Sequence, residues 1–162
     1  MRLAGKVAVV TGGGSGIGRG IVLAMAQEGA DVAIPDIQVM NADKVAGEVK
    51  ALGRKSLAMK TDVTSSVDVK AMTDRVRETF GKIDIVVNNA GMAAPPGLPF
   101  TNNTEDDWDR AFAVNTKSVF IVSKAVAAHM MERKAGRIIN IASIAGPIAA
   151  PTMPPYSVAK MA

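Results

Sequence analysis

The sequence predicts a doubly wound α/β domain, a parallel sheet with helices on both faces in three layers. Three observations carry this. Short apolar runs rich in β-branched residues alternate along the chain with segments of helical period. The runs show no apolar-polar alternation, which is the mark of strands buried on both faces. A glycine-rich turn, Thr11-Gly12-Gly13-Gly14-Ser15-Gly16-Ile17-Gly18, lies between the first run and the first helical segment. Folds of this class bind ligands beyond the carboxyl ends of their strands.

The elements follow in order. Lys6–Thr11 reads as a buried strand, and Ile17–Glu28 has apolar positions at helical spacing. Asp31–Pro35 is a second strand, Asn41–Leu52 a helix, and Ser56–Thr61 a third strand. Ser65 with Asp68 forms a capping pair at the head of a helix that runs to Phe80. Ile83–Val87 is an almost wholly apolar strand. Thr104 caps a further helix, with Glu105, Asp106 and Asp107 where the helix dipole favours acids. Val114–Arg133 reads as a long helix with Val119, Val122, Val126 and Met130 on one stripe, and Arg137–Ile141 is the fifth strand. Two loops, Met92–Asn103 and Ile144–Pro155, are rich in proline and small apolar residues and suit the wall of an apolar pocket.

Composition narrows the function classes. A chain of 162 residues suits one domain, expected to span 1–162. With no cysteine, disulfides, thiolate catalysis and thiolate-ligated zinc are excluded, and no metal site is expected. The net charge is +4, the 19 Lys and Arg are scattered, and aromatics make up 4%. A nucleic-acid surface calls for a basic stripe, so none is expected. No apolar stretch reaches the roughly 18 residues a membrane span needs, so no transmembrane helix is expected. The protein is expected to be soluble and cytoplasmic.

The glycine turn is read by its position. Backbone that must approach a pyrophosphate closely leaves no room for a Cβ, and the following helix offers free N–H groups to the phosphates. Between a strand and a helix the pattern points to a dinucleotide. Asp36 closes the second strand 18 residues after Gly18. A carboxylate there accepts both adenosine ribose hydroxyls and repels a 2′-phosphate, which favours NAD over NADP. Ser15 and Ile37 bring no cation for that phosphate.

With these residues in view, the chain resembles the short-chain dehydrogenases/reductases, from Lys6 to Lys160. Thr11-Gly12 through Gly16-Ile17-Gly18 matches the family's TGxxxGxG turn, and Asn88-Asn89-Ala90-Gly91 its NNAG segment. Asn115 matches its helix asparagine, Ser143 follows the fifth strand, and Tyr156-Ser157-Val158-Ala159-Lys160 matches its YxxxK signature. YxxxK alone is weak; the ordered set is specific.

The resemblance implies a Rossmann-type fold and an oxidoreductase moving hydride between NAD(H) and a secondary alcohol or ketone. It implies four catalytic residues: Tyr156 as acid/base, Lys160 as its cationic partner on the nicotinamide ribose, Ser143 on the substrate oxygen, and Asn115 in a proton relay. A free phenol ionises near pH 10, too high for a neutral-pH base. A lysine four residues later on a helix shares its face and favours the phenolate. The implied cofactor-binding residues are Gly12, Ser15, Gly16, Ile17, Gly18, Asp36, Ile37, Asp62, Val63, Asn89, Ala90 and Gly91, with Tyr156 and Lys160.

Simpler readings stand beside these. Asp62 suits a helix cap, Asn88 and Asn89 suit backbone bonding, and the single histidine, His129, reads as a surface residue. Family members usually continue past Lys160 with a helix, two strands and a lid, so the sheet reads as truncated after the fifth strand. A one-turn helix is unstable alone, so the helix bearing Tyr156 and Lys160 is expected to be poorly held. The alternative function is therefore a catalytically silent dinucleotide-binding fragment. The complete protein is expected to be a homo-oligomer, dimer or tetramer, acting on a small molecule.

Overall fold

A computed structural model describes residues 1–93, 100–148 and 152–162. The expected elements form in the expected order. They are β1 (Val7–Val10), α1 (Gly16–Gln27), β2 (Asp31–Asp36), α2 (Val39–Ala51), β3 (Ser56–Lys60), α3 (Ser66–Phe80) and β4 (Ile85–Asn88). After these come α4 (Glu105–Phe112), a π-helical turn (Ala113–Lys117), α5 (Ser118–Glu132), β5 (Arg137–Asn140) and α6 (Pro154–Met161). All strand pairings are parallel, in the order β3-β2-β1-β4-β5. Strand order reverses between β1 and β4, and a crevice opens beyond their carboxyl ends.

Side-chain alternation along β1 feeds two cores. Ala8 and Val10 face α1 and α2, joining Val22, Ala26, Val45 and Val49, while Val7 and Val9 face α3 and α5, joining Val69, Met72, Val76, Val122 and Val126. Each fully buried valine contributes about 1.5–2 kcal/mol by leaving water. β5 differs from the expectation of strands covered on both faces: every residue in it is exposed.

Three other differences have physical causes. The Thr104 helix and the Val114–Arg133 helix are one, joined through the π turn, with a capping box between Thr104 and Asp107 at its head. As one piece, Glu105–Glu132 is long and apolar enough by length and composition to cross a membrane, which neither half suggests. Val122, Val126 and Met130 are buried in the core beside α3, while 28% of the segment's most apolar window is buried. Second, α6 has two turns rather than one. Thr116 in the π turn donates its hydroxyl to the Ala159 carbonyl at 2.7 Å, so tertiary docking supplies what a short helix lacks. Third, β4 begins two residues later than expected: the Ile83 N–H is given to His129 Nε2, while the Asp84 backbone bonds Val7 and Arg137 at the very start of the sheet.

Asp84 staples the amino ends of the strands. Its carboxylate is 7% exposed and accepts from the Val7 N–H at 2.9 Å and the Arg133 guanidinium at 2.8 Å, with Lys82 at 3.2 Å. Burial pushes this carboxyl up, but the hydrogen bonds from Arg133, Val7 and Lys82 outweigh it and hold Asp84 below the usual carboxylate range. His129, half-buried at the surface, also makes a structural contact. Its Nε2 accepts the Ile83 N–H at 3.3 Å. Burial, with Arg77 and Arg133 nearby, holds its imidazole below the ordinary range.

Candidate functional site

A cleft of about 760 Å³ opens over the carboxyl ends of β1, β2, β3 and β4. Twelve of the residues expected to bind a dinucleotide line it: Gly12, Ser15, Gly16, Ile17, Gly18, Asp36, Ile37, Asp62, Val63, Asn89, Ala90 and Gly91. These come from four loops that share only their position at the switch in strand order.

The glycine turn makes one wall. Gly16 has φ +50°, and a Cβ built on it meets nothing within 4 Å, so open space lies before the first turn of α1. No side chain caps that turn from Ser15, so its N–H groups are left to a ligand. Gly18 is fixed by contact instead: a Cβ there would sit 2.2 Å from the Gly12 carbonyl oxygen and 2.6 Å from Asn89 Nδ2. A bare backbone beside a free helix amino terminus is the cradle an anionic pyrophosphate fits.

The NNAG segment holds this turn. Asn89 Nδ2 donates to the Thr11 carbonyl at 2.9 Å and the Gly12 carbonyl at 3.2 Å. Thr11 Oγ1 accepts the N–H of Asn89 and of Ala90, both at 3.0 Å, and donates to the Val87 carbonyl at 3.3 Å. The Asn89 side chain is therefore a brace for the glycine turn. Asn88 points the other way, donating to Ser123 at 3.2 Å and Asn140 at 2.9 Å.

Asp36 accepts the Gly14 N–H on one oxygen and the Gln38 N–H on the other, both at 2.9 Å. These bonds aim the carboxylate at the cleft, and each oxygen keeps acceptor capacity. Asp62 accepts the Thr64 N–H and hydroxyl on one oxygen. This is a local turn ahead of α3 and not the helix cap the simpler reading anticipated, because Ser65 caps α3 by accepting the Asp68 N–H; Asp62 lines the cleft as well. Gln38, Asn41, Thr61, Thr64, Met92, Arg110, Ala113 and Val114 also line it, and sequence reasoning passed over them. For Val114 and Arg110 a signal existed: Val114 adjoins Asn115, and Arg110 lies on the same helical segment just ahead of it. For Gln38 and Asn41 there was none.

Asn115, Ser143, Tyr156 and Lys160 lie outside this lining. Asn115 is buried in the π turn. Its Oδ1 accepts the Met92 N–H at 3.1 Å, and its Nδ2 donates to the carbonyls of Met92 and Ala111 at 3.0 Å. A π turn at a functional position is a recurrent feature. Gly91 connects the cleft to these residues. A Cβ on it would lie 2.9 Å from Asn115 Oδ1 and 3.7 Å from Lys160 Nζ, so both groups converge on one point. Lys160 Nζ donates to the Ile141 carbonyl at 2.9 Å. Ser143 Oγ accepts the Ala145 N–H at 3.2 Å, and Gly146 sits against the Lys160 carbonyl. Tyr156 and Lys160 are one turn apart on α6 and half-buried. Residues 94–99 and 149–151, within the two loops expected to wall an apolar pocket, lie outside the described residues.

Comparison with known proteins agrees with this architecture. The family model for short chain dehydrogenase matches residues 6–162. The 3-oxoacyl-(acyl-carrier-protein) reductase of Thermotoga maritima is 37% identical over 160 residues, covering 99% of this chain and 64% of that protein. An NAD+-bound xylitol dehydrogenase structure superposes with a TM-score of 0.95 at 35% identity, covering 99% of this chain and 62% of that one. A 7α-hydroxysteroid dehydrogenase complexed with NADH and 7-oxo glycochenodeoxycholic acid gives 0.93 at 37%, with the same coverage. The chain thus spans a little over three fifths of the length of these relatives. It belongs to the short-chain dehydrogenase family.

Proposed function

We propose that this chain holds NAD(H) and carries the catalytic groups of an oxidoreductase that interconverts a secondary alcohol and a ketone. One observation supports this most: twelve residues from four separate loops, each expected at a dinucleotide, line a single cleft beside a free helix amino terminus. The similar structures with NAD+ and NADH bound support the cofactor class. Asp36, aimed by two backbone N–H groups and with no cation at Ser15 or Ile37, supports NAD over NADP.

Oxidised nicotinamide supplies a two-electron hydride acceptor when bound. The chain's residues manage the accompanying proton. Tyr156 takes the hydroxyl proton as the carbinol C–H hydride leaves, and returns it in the reverse direction. Lys160, oriented by the Ile141 carbonyl, supplies the adjacent positive charge. Ser143 donates to the substrate oxygen. The Asn115 amide is occupied with Met92 and Ala111, so it supports the proton path by fixing the segment that follows β4 at Met92 rather than by offering a free amide.

The test is titration with NADH and NADPH of the chain and of an Asp36→Ser variant, with Tyr156→Phe assayed on secondary alcohols. NADH should bind more tightly than NADPH, Asp36→Ser should narrow that gap, and Tyr156→Phe should bind NADH yet lose turnover. Equal NADPH affinity before and after the Asp36 change contradicts the NAD assignment. Binding without wild-type turnover leaves a dinucleotide-binding module.

A further inference from the structure

Resting on the dinucleotide reading above, we propose that Arg110 is the cation that balances the ligand's diphosphate in the cleft. A dinucleotide brings two phosphate charges into a lining that already carries the carboxylates of Asp36 and Asp62. Among the described residues lining the cleft, Arg110 is the only cation. It projects from α4 on the same side as Ala113 and Val114, which line the cleft with it.

The other nearby cations are committed. Arg19, in the first turn of α1, is forked onto Glu48 of α2 through both Nε and Nη2. Lys160 is bonded to the Ile141 carbonyl and does not line this cleft. Arg110 is exposed and makes no ion pair within 4 Å among the described residues. Asp107, one turn back on the helix, feels the Arg110 charge at a distance but directs its hydrogen bonds to the Thr104 cap. An exposed guanidinium with no ion pair within 4 Å among the described residues, on the wall of a cleft whose other charges are negative, is placed to attract a diphosphate by charge.

The experiment measures affinity for NADH, ADP and adenosine on the wild-type chain, Arg110→Gln and Arg110→Lys, at low salt and near 1 M salt. Charge action predicts that Arg110→Gln weakens NADH and ADP about fivefold at low ionic strength, within the range of an exposed ion pair. Arg110→Lys should restore most of that loss, and adenosine should bind equally to all three. Near 1 M salt, where the screening length is about 3 Å, the difference should fall below about twofold. Unaltered ADP affinity in Arg110→Gln overturns the proposal. So does an equal loss for adenosine, which would place the arginine on the base. A wild-type chain that binds neither NADH nor ADP removes the dinucleotide reading itself. Melting temperatures of the variants should match the wild type, because Arg110 is exposed.

Discussion

Gly18 and Gly20 are both within α1, two residues apart, and the structure assigns them opposite responses to the same substitution. A Cβ at Gly18 would lie 2.2 Å from the Gly12 carbonyl oxygen and 2.6 Å from Asn89 Nδ2, where ordinary contact begins near 3.4 Å. Gly12 cannot retreat freely, because its N–H bonds the Pro35 carbonyl and its own Cβ position is 3.0 Å from the Ala90 Cα. Overpacking of this kind costs about 1–3 kcal/mol, which for a chain of this size lowers the melting temperature by about 2–12 °C. At Gly20 a Cβ meets nothing within 4 Å. Alanine there should stabilise the helix by about 0.5–1 kcal/mol and raise the melting temperature by about 1–4 °C. The assay is a thermal melt of both variants with a parallel NADH titration. Gly18→Ala should also weaken NADH about tenfold, the scale of one lost charge-assisted hydrogen bond at the shifted helix end. Gly20→Ala should leave binding intact. If the two variants melt alike, the contact at Gly18 does not control the turn and the reasoning fails.

Three further outcomes follow from the geometry. Asp84→Ala leaves the Val7 N–H unpaired and frees Arg133, so it should cost about 2–4 kcal/mol, less than a fully buried pair because Arg133 is partly exposed. The native carboxyl is held low, so its contribution is present above the unfolded carboxylate value of about 4 and is lost as pH falls from there through the folded value. Melting curves of Asp84→Ala and wild type should therefore converge only in strong acid. His129, also held low, contributes above the unfolded imidazole value of about 6.5 and loses that contribution as pH falls below it. His129→Gln should flatten the pH dependence of the melting temperature between about pH 7 and about pH 5. Thr11→Val removes the acceptor of two backbone N–H groups and should cost about 2–3 kcal/mol and weaken NADH, with Thr11→Ser restoring both in titration and melt.

The sheet was legible because its strands are buried on both faces, and that leaves unbroken apolar runs such as Val7–Val10 and Ile85–Val87. The cleft was legible because the close backbone approach proposed there demands glycine and the proposed ribose contact an acid, so Gly12, Gly16, Gly18 and Asp36 announce themselves by residue type. The π turn at Ala113–Lys117 was not legible. It carries no proline or glycine, and it is fixed by what Asn115 and Thr116 bond at Met92 and Ala159, far away in sequence. Asp84 and His129 were missed for a related reason. A single acid or histidine has no period, and their partners, Val7, Arg133 and Ile83, meet them only in the folded chain. Arg110 carries no motif of its own, and only the folded chain puts it on the cleft wall.

The most direct test of the cleft's assignment is an equilibrium titration of the chain with NADH, followed by nicotinamide fluorescence, with ADP as competitor. A saturable one-to-one isotherm that ADP displaces, and that Gly18→Ala weakens while Gly20→Ala does not, is the predicted result. A folded chain that binds NADH no better than an unrelated protein, or whose binding ignores both ADP and Gly18→Ala, would contradict the account.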